Sequence, residues 1–232
     1  MNREVTGLSS MATRPILADL CRHLGTAHGI PVRFTAAGGV ETARQVREGA
    51  QADLLVLAEG ALAALAQEGH LVPGTVRPLW VSQVVAAVPQ GAPVPVLDRE
   101  SDLCDALLTA RRIAYSTGPS GTALVALIDR LGLTGPLGER LVQAPPGVPA
   151  GTLLSSGEAD LAFQQHSELM DLPGVVVVGP LPAATAITST FGAGVLTTST
   201  APDRAAEILD LFTSDAATSL ARARGMRAAE AT

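Results

Sequence analysis

The sequence predicts an α/β protein made of two doubly wound lobes that are joined by a two-strand hinge. Strand and helix patterns alternate over the first 70 residues, which is typical of a parallel sheet covered by helices. Aromatic side chains make up only 3% of the 232 residues, which favours closely packed helix and sheet layers. Two long apolar segments, at residues 80–88 and 184–197, are expected to cross between the lobes. We therefore predict one lobe at residues 1–80 and 188–232 and another at 84–184.

The first lobe is predicted from three strand and helix pairs. Short apolar runs predict strands at residues 4–8, 31–35 and 52–57. Helical periodicity follows each of them, at residues 12–28, 40–48 and 60–67. Because parallel strands end at one edge of a sheet, a ligand is expected at the loops that follow the first two strands.

The second lobe is predicted from shorter segments. Strands are expected at residues 112–115, 140–143 and 161–164 and in the run V-V-V-V-G-P. Helices are expected at residues 102–109, 121–131 and 152–156, and closing helices of the first lobe at residues 201–213 and 216–224. Two crossings form a hinge, so we expect the ligand in the cleft between the lobes.

Charge and composition exclude several classes of protein. The 16 basic residues are all arginines and form no run, and the formal net charge is −6, so no nucleic-acid partner is predicted. No apolar run is long enough for a membrane span. Cys21 and Cys104 lie far apart, and no cysteine and histidine spacing resembles a metal site. Neither a metal nor another cofactor is predicted.

Four loop-to-helix junctions are rich in glycine and small hydroxyl residues. They are S-S-M-A-T-R, T-A-A-G-G-V, Y-S-T-G-P-S-G-T and P-P-G-V-P-A-G-T, which begin at residues 9, 35, 115 and 145. A single junction of this kind needs no ligand to explain it, because hydroxyl residues cap helices and glycines form turns. Four of them at strand ends predict a site where backbone N–H and hydroxyl groups bind a small anion.

The order of these segments resembles the molybdate-binding proteins of ABC transporters, in the type II periplasmic-binding-protein family. The resemblance rests on A-A-G-G-V-E-T-A-R-Q-V-R-E-G-A-Q-A-D-L-L-V-L-A and A-Q-E-G-H-L in the first lobe and on G-P-S-G and G-V-P-A-G in the second. It covers nearly the whole chain and implies that family's two-lobed fold. It also implies a substrate-binding module, with an ABC permease as its partner if the protein is exported. We expect a monomer.

The resemblance implies ligand contacts in both lobes. They fall on five positions of this sequence: Ser10, Gly39, Ser120, Val148 and Gln165. Their neighbours complete the predicted ligand-binding set: Ser9, Gly38, Thr117 and Gln164. Gly39 stands where the family has a second serine, and Gln165 where it has a tyrosine. Because these two positions offer different donors, molybdate is not favoured as the ligand.

Three features favour a di- or tricarboxylate over an inorganic oxyanion. Arg14 follows Ser10 by one helical turn, and a guanidinium can bind a carboxylate with two parallel hydrogen bonds. Tyr115 precedes the third junction, and F-Q-Q-H-S-E contains His166 and Glu168. We therefore add Arg14 to the predicted ligand-binding set.

Two functions remain open at this point. One is a binding protein; the other is a cytosolic isomerase that moves a proton in an unsaturated polycarboxylate, since the related aconitate isomerase resembles this family. In an isomerase, His166, Glu168 or Tyr115 would be the catalytic group. Residues 1–8 do not resemble an export signal. This predicts a cytoplasmic protein if Met1 is the natural start, and a periplasmic or extracellular one if a signal peptide was removed.

Overall fold

The computed structural model of the chain describes residues 3–230. They form two compact units: unit 1 contains the described residues up to Ser82 and those from Ser189 onward, and unit 2 is Gln83–Thr188. A search of residues 3–230 finds no helix with the length and apolar character needed to cross a membrane.

Strands and helices alternate along most of the chain. In chain order the strands are β1 (Val5–Ser10), β2 (Val32–Ala37), β3 (Leu54–Ala58), β4 (Arg77–Pro89), β5 (Ile113–Tyr115), β6 (Leu141–Gln143), β7 (Leu161–Gln165), β8 (Val175–Pro180), β9 (Thr188–Val195) and β10 (Met226–Ala228). The helices are α1 (Arg14–His28), α2 (Gly39–Arg47), α3 (Glu59–Gln67), α4 (Glu100–Thr109), α5 (Pro119–Arg130), α6 (Thr134–Leu137), α7 (Thr152–Ser155), α8 (His166–Leu169), α9 (Pro202–Leu211) and α10 (Asp215–Ala223).

The sheet of unit 1 has the order β2-β1-β3-β9-β4, and β10 also pairs with β4. β1 is parallel to β2 and β3, whereas β9 is antiparallel to β3. Alternate residues of β3 enter two different apolar clusters: Leu54 packs with residues of α1, α9 and α10, and Leu55 with residues of α2 and α3. Since successive side chains of a strand point to opposite faces, helices cover both faces of this sheet. Full burial of one such leucine contributes about 1.5–3 kcal/mol.

The sheet of unit 2 has the order β6-β5-β7-β4, with β8 also on β4. β5 is parallel to β6 and β7, and β4 is antiparallel to β7 and β8. Phe163 of β7 packs with residues of α4 and α5, while its neighbour Ala162 packs with residues of α7 and α8. Both units are therefore doubly wound, which confirms the predicted fold class.

Several segments differ from the sequence prediction, which included neither α6 nor α8. The strand expected at residues 184–197 covers only Thr188–Val195, because Ala183–Thr185 form a 3-10 turn in which the Thr185 N–H donates to the Pro182 carbonyl at 2.8 Å. β10 was not predicted, and it pairs antiparallel with Trp80–Ser82 of β4. A strand of three residues is too short to show an alternating pattern.

Candidate functional site

In each unit, the predicted ligand-binding residues follow strands that end at one edge of that unit's sheet. In unit 1, Ser10 at the end of β1 lies opposite Ala37 at the end of β2. In unit 2, Tyr115 at the end of β5 lies opposite Gln143 and Phe163. The unit 1 edge comprises Ser9, Ser10, Arg14, Gly38 and Gly39. The unit 2 edge comprises Tyr115, Thr117, Ser120, Val148, Gln164, Gln165, His166 and Glu168.

The two serines of the unit 1 edge differ in their surroundings. Ser9 is fully buried, and its Oγ has no hydrogen-bond partner among residues 3–230. Ser10 keeps 6% of its surface exposed, and its Oγ lies 3.3 Å from Thr13 Oγ1. Because the Thr13 hydroxyl donates its proton to the Ser10 carbonyl at 3.1 Å, the Ser10 hydroxyl must be the donor in its contact with Thr13 Oγ1. An anion at Ser10 would therefore take a proton that now goes to Thr13, whereas Ser9 has an unpartnered hydroxyl but no exposed surface.

Two buried threonines that the sequence prediction missed hold this edge together. Thr13 bonds to Ser10 as described, and the Thr42 hydroxyl donates to the Ser9 carbonyl at 3.1 Å. The Thr42 N–H also donates to the Gly38 carbonyl at 2.8 Å, so the first turn of α2 is tied to the end of β1. Each threonine stands three residues after a predicted site residue, Ser10 or Gly39. For Thr13 this spacing is typical of a local side-chain bond at a helix start and was an available signal, whereas the Thr42 hydroxyl bonds to a residue 33 positions away, which the spacing does not indicate.

Gly39 leaves open space at the start of α2. A Cβ built on Gly39 would meet no heavy atom within 4 Å, and the same holds for Gly38. The next residue, Val40, is 74% exposed. The glycines are therefore not required by crowding, and a ligand group can approach the backbone here.

Arg14 is exposed on the first turn of α1, and within residues 3–230 its side chain forms no ion pair or hydrogen bond. The first turn of α1 has no acidic residue, and neither does that of α5. Every other described helix of nine or more residues has at least one, namely Glu41 in α2, Glu59 in α3, Glu100 and Asp102 in α4, Asp203 in α9 and Asp215 in α10. Since a helix N-terminus carries partial positive charge, α1 and α5 begin with positive charge that no acidic residue of their first turn offsets.

The start of α5 is tightly built. Ser120 is buried and its Oγ lies 3.0 Å from the Oγ of Ser116, a residue that the prediction did not include. A Cβ on Gly121 would lie 1.8 Å from the Ser116 carbonyl oxygen, so only glycine fits there. Thr117 is exposed, and Tyr115 packs partly buried against the apolar cluster of α4 and α5.

Val148 is a predicted ligand contact, but its backbone N–H is already used within its own loop. That N–H donates to the Pro145 carbonyl at 3.0 Å, and Gly147 has a φ of 78°. Proline followed by glycine with positive φ is typical of a type II turn, in which the fourth N–H closes the turn. The Val148 side chain is 39% exposed and is the part that a ligand can reach.

Gln164 joins the loop that contains Val148 to Glu168. Its Oε1 accepts the Ala150 N–H at 2.6 Å, and its Nε2 donates to Glu168 Oε1 at 2.8 Å. Burial raises the pKa of Glu168 to about 7, although the bond from Gln164 opposes this. Burial lowers the pKa of His166, which lies in the same short helix, α8. Gln165, the last residue of β7, is buried.

No group of three or more His, Cys, Asp or Glu residues in the described part of the chain is arranged to hold a metal ion. What both edges offer is neutral hydrogen-bond donors, one exposed arginine in unit 1 and one carboxyl group that titrates near pH 7 in unit 2.

Comparison with known proteins gives a family and a fold. Residues 5–227 match the family model of bacterial extracellular solute-binding proteins. A curated relative, the aconitate isomerase of a Pseudomonas species, is 29% identical over 164 residues, which cover 70% of this chain and 62% of the relative. The chain therefore matches less than two thirds of that protein's length.

Solved structures align over nearly the whole chain. The periplasmic molybdate-binding protein of Azotobacter vinelandii has a TM-score of 0.84 and 18% identity, covering 97% of this chain and 100% of that one. The sulfate-binding protein of Mycobacterium tuberculosis has a TM-score of 0.79 and 18% identity, covering 99% and 88%. These similarities confirm the periplasmic-binding-protein fold that the sequence resemblance implied.

Proposed function

Because this chain belongs to the family of bacterial extracellular solute-binding proteins, we propose that it binds a small anion with donor groups of the kind found at its unit 1 and unit 2 edges. The supporting observation is that α1 and α5 begin at these edges without an acidic residue in their first turns. An anion near such a helix start contributes typically about 0.3–1 kcal/mol, and more where the site is partly buried. The backbone N–H groups at a helix start can also donate hydrogen bonds to an anion.

The anion that fits best is a di- or tricarboxylate. Arg14 is exposed and unpaired in the described structure, and its planar guanidinium matches a carboxylate. Gly39 has no side chain and leaves open space beside its backbone, so a carboxylate group can approach its N–H. The relative from Pseudomonas is named for aconitate, a tricarboxylate, whereas the aligned structures are of proteins named for molybdate and sulfate. The three names share a small anion as the ligand class.

In this proposal the protein works outside the cytoplasm and presents its ligand to an ABC permease. Membership of an extracellular solute-binding family supports that location, as does the similarity to a periplasmic protein. The binding role needs no chemical step and no cofactor.

An isomerase is the second candidate, and Glu168 is the observation that favours it. A carboxyl group with a pKa of about 7 can accept and return a proton near neutral pH. Glu168 would take a proton from the CH₂ carbon of an unsaturated acid. Return of that proton to the carbon at the other end of the C–C=C unit, as the double bond shifts by one position, would give the isomer. No atom or electron is gained or lost, so the step needs no cofactor.

Calorimetric titration of the purified protein with citrate, cis-aconitate, trans-aconitate, molybdate and sulfate tests the ligand class. We expect heat from at least one polycarboxylate and weaker or no heat from the two oxyanions. Tight molybdate binding without carboxylate binding would contradict the carboxylate proposal. An ultraviolet assay for interconversion of the aconitate isomers separates the two functions. Turnover that Glu168→Gln abolishes would favour the isomerase, whereas binding without turnover would favour the binding protein.

A further inference from the structure

The orientation of the Gln164 amide is fixed by its surroundings. The Ala150 N–H can only donate, so the Gln164 oxygen must face it and the Gln164 NH₂ group must face Glu168. Gln164 and Ala150 are both buried, with 2% and 0% of their surface exposed. The Glu168 carboxyl group therefore receives a neutral donor on Oε1 whatever its own protonation state.

The second oxygen of Glu168, Oε2, has no hydrogen-bond partner in residues 3–230. Glu168 is largely buried but not fully enclosed, and Oε2 is not among the fully buried polar atoms without a partner. A protonated carboxyl group has one O–H donor to offer, whereas an ionised one has none.

No cation from the surrounding elements of unit 2 faces this carboxyl group. α8 packs against β7 and β8 and, through Leu169, near Gly151 at the start of α7. None of these elements contains an ionisable side chain, and neither does the part of β4 in unit 2. The ionisable residues of the Glu168 segment itself are His166 and Asp171, and burial lowers the pKa of His166, which favours its neutral form. An ionised Glu168 would thus lack a charge partner in unit 2.

We propose that Glu168 is a ligand-binding residue that donates a proton from Oε2 to the bound anion, so that each anion binds together with one proton. The inference rests on the proposed function, because it concerns the same site. A neutral acid that donates to an anion forms a short, charge-assisted hydrogen bond, about twice as strong as one between neutral groups.

The proton linkage has a defined pH window. Burial raises the pKa of Glu168 to about 7 in the ligand-free protein, and a bound anion beside it raises that pKa further, because two negative charges repel. Below pH 6 the group already holds its proton, so binding takes up none. Above pH 7 the group is ionised when free and protonated when bound, so binding takes up close to one proton. The affinity should then fall about tenfold for each pH unit.

Calorimetry in two buffers of different ionisation enthalpy, Hepes and Tris, measures this uptake. With citrate and cis-aconitate as probes, we expect close to one proton per ligand at pH 8. The ligands' own carboxyl groups are ionised at that pH. In Glu168→Gln, whose NH₂ group also donates, the uptake should vanish, and the affinity at pH 8 should equal the low-pH value of the wild type within about threefold. Glu139→Gln is the matched control, an exposed glutamate of the same unit whose loss should leave the uptake unchanged.

The outcomes distinguish this inference from the proposed function. Carboxylate binding without proton uptake at pH 8, or uptake that persists in Glu168→Gln, would overturn the inference and leave the proposed function standing. Absence of heat with every acid and oxyanion, at every pH, would overturn the proposed function and the inference with it.

Discussion

The unit 1 edge and the unit 2 edge are built from similar loops but offer an anion different chemistry. At the unit 1 edge, the charged group is the Arg14 guanidinium, which stands at the start of α1. At the unit 2 edge, the donors described are uncharged hydroxyl, amide and backbone N–H groups, and burial raises the pKa of Glu168 to about 7. The two edges therefore differ in charge, because unit 1 offers a guanidinium and unit 2 offers uncharged donors and one carboxyl group.

The largest expected effect on the free energy of unfolding is that of a glycine substitution at the unit 2 edge, compared with one at the unit 1 edge. Gly121→Ala should destabilise the protein by about 3 kcal/mol or more, because its Cβ would overlap the Ser116 carbonyl, and overpacking of this kind is costly. Gly39→Ala is the matched control, and its stability should stay within about 0.5 kcal/mol of the wild type, since its Cβ meets open space. Urea unfolding followed by circular dichroism measures both. Equal effects of the two substitutions would contradict the described difference in packing.

The second prediction concerns how the free energy of unfolding depends on pH, and it involves Glu168 of unit 2. The pKa of Glu168 is raised in the folded protein, so its protonated form stabilises the fold below about pH 4.5, and this contribution is lost as the pH rises through about 7. Glu168→Gln should therefore be more stable than the wild type by about 2–3 kcal/mol at pH 8 and similar to it at pH 5. Urea unfolding at the two pH values tests this, with Glu139→Gln as the control. A variant that gains nothing at pH 8 would show that Glu168 is well solvated.

The smallest effect concerns the hydroxyl groups that support the unit 1 edge. Thr42→Val keeps the shape of the side chain but removes the bond to the Ser9 carbonyl, and should cost about 1 kcal/mol. Thr122 of unit 2 is exposed, and its hydroxyl lies 3.5 Å from the Gly118 carbonyl oxygen. Thr122→Val should therefore lower the free energy of unfolding by less than about 0.5 kcal/mol. Thermal unfolding of both variants provides the comparison. If Thr42→Val were neutral, the hydroxyl would not hold α2 against β1.

The fold was largely predictable from the sequence, because it depends on local periodicity. The alternation of strand and helix predicted both doubly wound units, and the continuous apolar run L-L-V-L predicted a strand covered on both faces. The predictions were least accurate where a segment was short or ended in a turn, as at Ala183–Thr185 and β10.

The candidate site was predictable in outline only. Glycine and hydroxyl residues marked the loops, but their partners depend on which distant segments meet. The bond between Thr42 and Ser9 joins residues 33 apart, and the one between Ala150 and Gln164 joins residues 14 apart. The turn that uses the Val148 N–H and the burial that shifts the pKa of Glu168 likewise arise from three-dimensional packing.

The most direct test of carboxylate binding is the affinity of Arg14→Ala for citrate or cis-aconitate, measured by calorimetry at pH 6 and low ionic strength. Arg222→Ala is the matched control, since it removes an equal charge from an exposed helical position of the same unit. We predict that Arg14→Ala weakens binding by about 1.5–3 kcal/mol, or about 10- to 150-fold, while Arg222→Ala changes it less than about twofold. Equal affinities of the wild type and both variants would contradict the assignment of Arg14 as the residue that binds the carboxylate.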